Sequence, residues 1–81
     1  LRWTSLQIRG NNSSNQPGAL AYFAGLITEA GGNILRTVNT TSKNGDFHVR
    51  MVLNGLEENQ KIYMKKLFSE SRFPLLDIEI A

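Results

Sequence analysis

Few residues in this chain could do chemistry. Its 81 residues include one histidine, His48, and no cysteine. A single imidazole is too few for a typical zinc site. Without a thiol there is no disulfide framework, no thiolate nucleophile and no cysteine-held metal. Arg9 and Asn39 could be enlisted on a phosphate, the arginine in a cradle and the amide orienting a water. The segment after Arg9 lacks the glycine pattern such a cradle needs, so this reading is weak. His48 falls in a strand and reads as a solvated or interface side chain rather than a general base. What remains is recognition chemistry. The run from Gly10 to Gly18 holds the amides of Asn11, Asn12, Asn15 and Gln16 and no apolar residue, the composition of a loop.

The totals fit one small domain. About 41% of residues are apolar, enough for one core. So short a chain has little stability in reserve, and pairing or attachment to a larger protein is the natural remedy. The net charge is +2, and the basic residues are scattered from Arg2 to Arg72 rather than gathered on one stripe. That distribution argues against a dedicated nucleic-acid binder. No segment approaches the length of a membrane span and no leader peptide is visible, so a cytoplasmic location is expected. The first residue is Leu1 rather than Met, which reads as a domain cut from a longer protein.

Six elements are needed to position the loop. Residues 3–9 alternate, with Leu6 and Ile8 on one side and Ser5, Gln7 and Arg9 on the other, a strand buried on one face. A helix follows from Pro17 or Gly18 to Ala30, with Leu20, Phe23, Ala24 and Ile27 as its apolar stripe. Pro17 suits its first turn, Asn15 is placed to cap it, and Gly31 and Gly32 end it. A second strand covers 33–41, with Ile34 and Val38 on one face. Arg36 between them breaks the alternation and predicts a bulge. Asn44-Gly45 predicts a tight hairpin with two positive φ angles. The third strand, 47–53, sets Phe47, Val49, Met51 and Leu53 against His48, Arg50 and Val52. Asn54 is the expected cap of a second helix, with Glu57 completing a capping box. Its inner face holds Met64, Leu67 and Phe68. After Pro74 a last strand, 75–80, alternates Leu76, Ile78 and Ile80 with Asp77 and Glu79.

The order is β-α-β-β-α-β. One hairpin and two right-handed crossovers give an α+β, ferredoxin-like βαββαβ sandwich, a four-stranded antiparallel sheet with both helices on one face. That fold hosts unrelated functions, and motifs must choose among them. RNA-recognition domains stack bases on strand aromatics, but Gln7 holds the central outward position of the first strand and Asn44-Gly45-Asp46-Phe47-His48 lacks the basic-Gly-aromatic pattern. Heavy-metal-binding domains need a Cys-x-x-Cys, which is absent. Acylphosphatase-like enzymes need the phosphate cradle discussed above.

One family pattern does match. Asn15-Gln16-Pro17-Gly18-Ala19-Leu20, followed by Ile27-Thr28-Glu29-Ala30-Gly31-Gly32-Asn33-Ile34, resembles the ACT domain. That pattern is an acidic residue or Asn, any residue, Pro-Gly, a Leu two further on and a closing Gly-x-Asn-Ile. Asn15 stands where many members have Asp, which keeps the capping function and removes a charge. The resemblance spans the chain and implies a single regulatory domain over residues 1–81, without catalytic activity or cofactor.

It further implies a ligand, most simply an amino acid, at a domain–domain interface near the first loop. A helix N-terminus offers free N–H groups and a positive dipole end to a carboxylate, and Gly18 lets a ligand approach the backbone. Carried over from the family, the ligand-binding region is Asn15, Gly18, Ala19, Leu20, Asn33 and Ile34, with Asn11 and Asn12 more remote candidates. Asn33 could reach across a domain pair to the ligand's amino group or carboxylate. Each has a plainer role: Asn15 as a cap, Gly18 as loop geometry, Asn33 as an unusual backbone angle after two glycines, Leu20 and Ile34 as core. Many such domains bind no amino acid and only dimerise or dock, so sensing and protein interaction both stand as readings. A homodimer through sheet or helix pairing and attached parent-enzyme domains are the expected partners, with no nucleic acid and no membrane. Trp3 reads as a packing contact to a neighbour. The Arg-Trp lead-in resembles the approach to the C-terminal ACT domain of RelA/SpoT-type (p)ppGpp synthetases, the parent ranked first by a small margin, while the Glu29-Ala30-Gly31-Gly32-Asn33-Ile34 stretch also resembles ACT domains attached to CBS pairs, malic enzymes and amino-acid biosynthetic enzymes.

Overall fold

The computed structural model describes residues 2–81. Its elements are β1 (Trp3–Gly10), α1 (Ala19–Glu29), β2 (Ile34–Thr41), β3 (Phe47–Asn54), α2 (Glu58–Ser69) and β4 (Asp77–Ile80), with a short 3₁₀ turn at Asn12–Ser14. The strands form one sheet in the order β2-β3-β1-β4, with every neighbouring pair antiparallel. This is the expected ferredoxin-like arrangement.

Alternation in β1 and β3 builds the core. Leu6 lies opposite Met51 and Ile8 opposite Val49, and the same two β1 residues meet Ile80 and Ile78 of β4. Leu6, Ile8, Val49, Met51 and Leu53 are buried, and Ile78 and Ile80 pack partly against them. Phe23 of α1 is the hub. Its ring lies 5.8 Å from Phe68, 6.1 Å from Phe73 and 6.5 Å from Phe47, within the range of favourable aromatic pairs. Gly10 is buried against Phe47, and a Cβ there would lie 2.4 Å from the tip of that ring. Thr4 is the polar residue of the β1 interior, and its hydroxyl accepts a hydrogen bond from the Leu56 amide at 2.9 Å. Burial without that bond would cost about 1–3 kcal/mol.

Several local expectations shift. The buried stripe of α1 is Ala19, Phe23, Ile27 and Ala30 rather than one led by Leu20, which is 43% exposed. Asn15 does not cap α1. Gly18 is the N-cap residue, and no side chain caps the helix. The α1 C-terminus closes as expected on two glycines, with Gly32 donating to the Ile27 carbonyl and Gly31 to that of Thr28, a Schellman motif. Asn54 does not cap α2 either. Glu57 is the N-cap and forms a reciprocal capping box with Gln60, while the Asn54 side chain accepts from the Asn33 amide at 2.8 Å.

The bulge in β2 lies where Arg36 predicted it, as a register shift between Ile34 and Arg36. Its consequence was not foreseen. Ile34 faces Leu53 on the helix side, and Val38 lies opposite Arg50 on the other face, so the two do not share a face. The hairpin also differs from expectation. Gly45 has φ +91°, and no non-glycine residue described has positive φ. Gly45 donates to Ser42 and Ser42 to Asp46, giving a three-residue loop with glycine at the left-handed position rather than a two-residue turn. β4 begins at Asp77. Leu75 packs on the core and Leu76 is 67% exposed, reversing the expected inward position of Leu76.

Candidate ligand-binding cleft

The loop between β1 and α1 is pinned from three directions. The Asn11 side chain accepts from the Ser13 amide at 3.1 Å, which folds the 3₁₀ turn. The Asn12 amide donates to Asp46 and the Asn15 side-chain amide to the Gly45 carbonyl, each at 3.1 Å. The buried Ser14 hydroxyl donates to the Pro74 carbonyl. Asn12 and Asn15 therefore lock the loop to the β2–β3 hairpin.

Gln16-Pro17-Gly18-Ala19 then makes a tight turn closed by the Ala19 amide on the Gln16 carbonyl at 3.1 Å. Gly18 takes φ +85° and ψ −6°, the third position of a type II turn, with proline in the second. A Cβ on Gly18 would meet nothing within 4 Å, so the glycine is required by the backbone angle and not by crowding. The turn delivers α1 with its first N–H groups uncapped by any side chain.

Next to this helix start lies a cleft of about 320 Å³. One wall is Asn15, Gln16, Gly18, Ala19, Leu20 and Ala21; the other is Asn39, Thr40 and Thr41 of β2; Phe47 and Val49 contribute from β3. The cleft exists because β2 is the outer strand and is exposed along almost its whole length. Asn39 and Thr41, opposite Val49 and Phe47, would meet the helix layer if it extended that far. Small residues at Ala19 and Ala21 leave the gap open. None of the described lining residues carries a charge. The arrangement offers uncapped N–H groups, neutral amides and hydroxyls above an apolar floor, which suits binding and orienting a small polar molecule. Among the described residues no group of three or more His, Asp or Glu could hold a metal ion.

Four of the six expected site residues, Asn15, Gly18, Ala19 and Leu20, meet in this cleft. Asn33 and Ile34 do not. They follow the other end of α1, an 11-residue helix of roughly 16 Å at 1.5 Å per residue. There the backbone of Asn33 pairs with Asn54 and Ile34 packs partly on the core. The β2 wall, Asn39-Thr40-Thr41, was missed. A run of neutral polar residues reaching an inward strand position is the signal that could have found it.

No family model matches the chain, and no curated protein matches it either. Solved structures do. The ACT domain of GTP pyrophosphokinase from Chlorobium tepidum superposes with a TM-score of 0.73, at 15% identity, over 98% of this chain and 96% of that one. The regulatory subunit of aspartate kinase from Thermus thermophilus gives 0.70 at 11% identity, over 100% of this chain and 51% of that one. GqqA, a quorum-quenching acylase, gives 0.66 at 28% identity, over 96% of this chain and 28% of that one. The strand order, the two helices and these superpositions agree with the Pro-Gly loop and the Gly-Gly-Asn-Ile stretch: this chain has the fold of an ACT domain.

Proposed function

We propose that this is a non-catalytic regulatory domain that takes an amino acid, or a similar small ligand, in the cleft at the start of α1. The observation that carries the reading is the cleft itself, a pocket of about 320 Å³ with uncapped helix N–H groups at one end and Phe47 and Val49 below. The α-carboxylate would sit at the helix start, where the dipole and free donors favour an anion. The neutral lining favours an uncharged side chain, because a charged one would lose hydration without gaining a partner. Bound ligand would shift the conformational equilibrium of an attached enzyme by its differential affinity for two states. A cytoplasmic (p)ppGpp synthetase is the parent we favour, and the likeness to a GTP pyrophosphokinase ACT domain supports it. Asn33 and Ile34 would complete the site from a second copy in a homodimer, since within one chain they lie too far from the cleft.

Calorimetric titration of the twenty amino acids tests the reading, with thermal shift as a second measure. At a free ligand concentration a hundredfold above Kd the domain gains about 2.7 kcal/mol, a rise in Tm of roughly 10–20 °C for a domain this size. Gln16→Ala and Ala21→Arg, which alter the wall or fill the gap, should weaken binding; Asn33→Ala tests the second-copy contribution. The second reading is a pure pairing or docking module, favoured by the exposed outer strand β2 and by exposed Trp3, Leu35 and Leu76. Absence of heat and of thermal shift with every amino acid, at concentrations where the domain is paired, leaves that reading in place of the first.

A further inference from the structure

A second groove lies on the helix-free face of the sheet, with the sheet between it and the cleft. Its volume is about 350 Å³, and it is lined by Ser5 and Gln7 of β1, Arg36 and Val38 of β2, and Arg50 and Val52 of β3. The registers bring these residues together. Arg36 lies opposite Val52 and Val38 opposite Arg50, so the two arginines are diagonal neighbours on one face, with backbones about 7–8 Å apart. On the other side of β3, Ser5 lies opposite Val52 and Gln7 opposite Arg50. Among the described residues no acid lines the groove. The acid nearest to Arg50 in the registers is Glu79, which lies opposite Gln7 and so two strands away, about 10 Å at the usual strand spacing. Two like charges set diagonally repel each other. Both arginines are exposed, so core packing does not require them.

The geometry points to a binding site for a small dianion, a molecule with two negative charges close together, as in a phosphate monoester or a dicarboxylate. The groove presents hydrogen-bond donors and no carboxylate. Each guanidinium is a planar fork that can hold two oxygens at once. Ser5 adds a hydroxyl. Gln7 is oriented by its neighbour, since His48 Nε2 lies 3.0 Å from Gln7 Oε1. An amide oxygen only accepts, so the ring N–H donates to it and Gln7 keeps both amide N–H groups for the groove. A dianion draws on both arginines, whereas a monoanion satisfies one and leaves much of their repulsion in place. Val38 and Val52 give the carbon part of the ligand an apolar surface. The groove faces solvent, where salt screens the attraction, and Kd is expected on the order of 1 mM. The site is independent of whether the cleft takes a ligand, because the two share no residue.

Titration of the chain followed by backbone amide NMR shifts, at constant ionic strength, tests this with phenyl phosphate, succinate and the monoanion acetate as probes. The expected result is saturable shifts centred on Ser5, Gln7, Arg36 and Arg50 with at least one of the two dianions. Which of them binds tells a phosphate ligand from a dicarboxylate. Acetate should bind about tenfold more weakly or not at all. Arg36→Gln and Arg50→Gln should each weaken binding about tenfold, as loss of a charge-assisted contact does. Arg50→Lys keeps the charge without the fork and should recover only part of that loss. Gln7→Glu still offers His48 an acceptor but puts a carboxylate among the donors, and should abolish binding. These side chains are exposed or half-buried, and thermal unfolding checks that each variant folds. The inference is overturned if neither dianion gives saturable shifts at about twenty times the expected Kd. It is also overturned if the shifts centre elsewhere, if acetate binds as well as the dianions, or if both glutamine variants leave Kd unmoved.

Discussion

Replacing Gly18 by alanine and, separately, Gly25 by alanine should change stability in opposite directions, although neither new methyl group would touch anything within 4 Å. Gly18 sits at φ +85° before α1. An L-residue there brings its Cβ close to the following carbonyl, which costs roughly 1–2 kcal/mol. Gly25 lies inside α1 on its exposed side, where alanine in place of glycine gains roughly 0.5–1 kcal/mol from helix propensity and reduced unfolded-state entropy. For a domain of this size each kcal/mol moves Tm by roughly 4–8 °C. Gly18→Ala should therefore lower Tm by roughly 4–16 °C and Gly25→Ala raise it by roughly 2–8 °C. Urea titration separates this from a change in compactness, since the midpoint should move while the slope m stays constant. Changes of the same sign in the two variants would refute the claim that the Pro17-Gly18 turn needs its left-handed angle. The result also bears on ligand studies, because affinity of Gly18 variants must be compared well below their transition.

Other consequences follow from the packing. Phe23→Ala removes the ring at the centre of four aromatic contacts and should cost about 3–5 kcal/mol in denaturant titration. Asn15→Ala loses the bond to the Gly45 carbonyl and should cost about 0.5–1.5 kcal/mol. The faster amide exchange should appear in the β2–β3 hairpin; fraying confined to the first turn of α1 would mean that Asn15 is a cap after all. The Tyr63 hydroxyl donates to Glu29 at 2.8 Å, and that bond, with the carboxylate's charge, holds the phenol above its ordinary pKa of 10.0. A raised folded-state pKa means the folded chain holds this proton more tightly. The α1–α2 link is thus fully present below pH 10 and is lost as pH climbs through the folded value. Phenolate absorbance should show Tyr63 titrating lower in Glu29→Gln than in the parent chain; an unchanged titration would rule out the link.

How much could be read without the fold depends on whether a feature is local. Strand and helix identities follow from side-chain periods of 2 and 3.6, and β1, β3 and α2 lie where Leu6-Gln7-Ile8, Val49-Arg50-Met51 and Met64 to Phe68 placed them. The Pro17-Gly18 turn and the Gly31-Gly32 stop were also legible, since proline and glycine restrict or release their own backbone angles. Caps were less so. Asn15 and Asn54 have the right chemistry, but each side chain found a tertiary partner, Gly45 or Asn33, that local pattern does not contain. The β2 bulge was foreseen at Arg36, yet only the register with β3 shows that it turns Val38 to the open face. The cleft was half legible. Its loop wall is continuous in sequence, whereas Asn39, Thr40 and Thr41 come opposite it because β2 takes the outer place in the sheet and outruns its helical cover. For the same reason Asn33 and Ile34, close to that loop in the sequence pattern, lie at the far end of α1. A chain fixes its own angles and periods, but long-range pairing decides which surfaces meet.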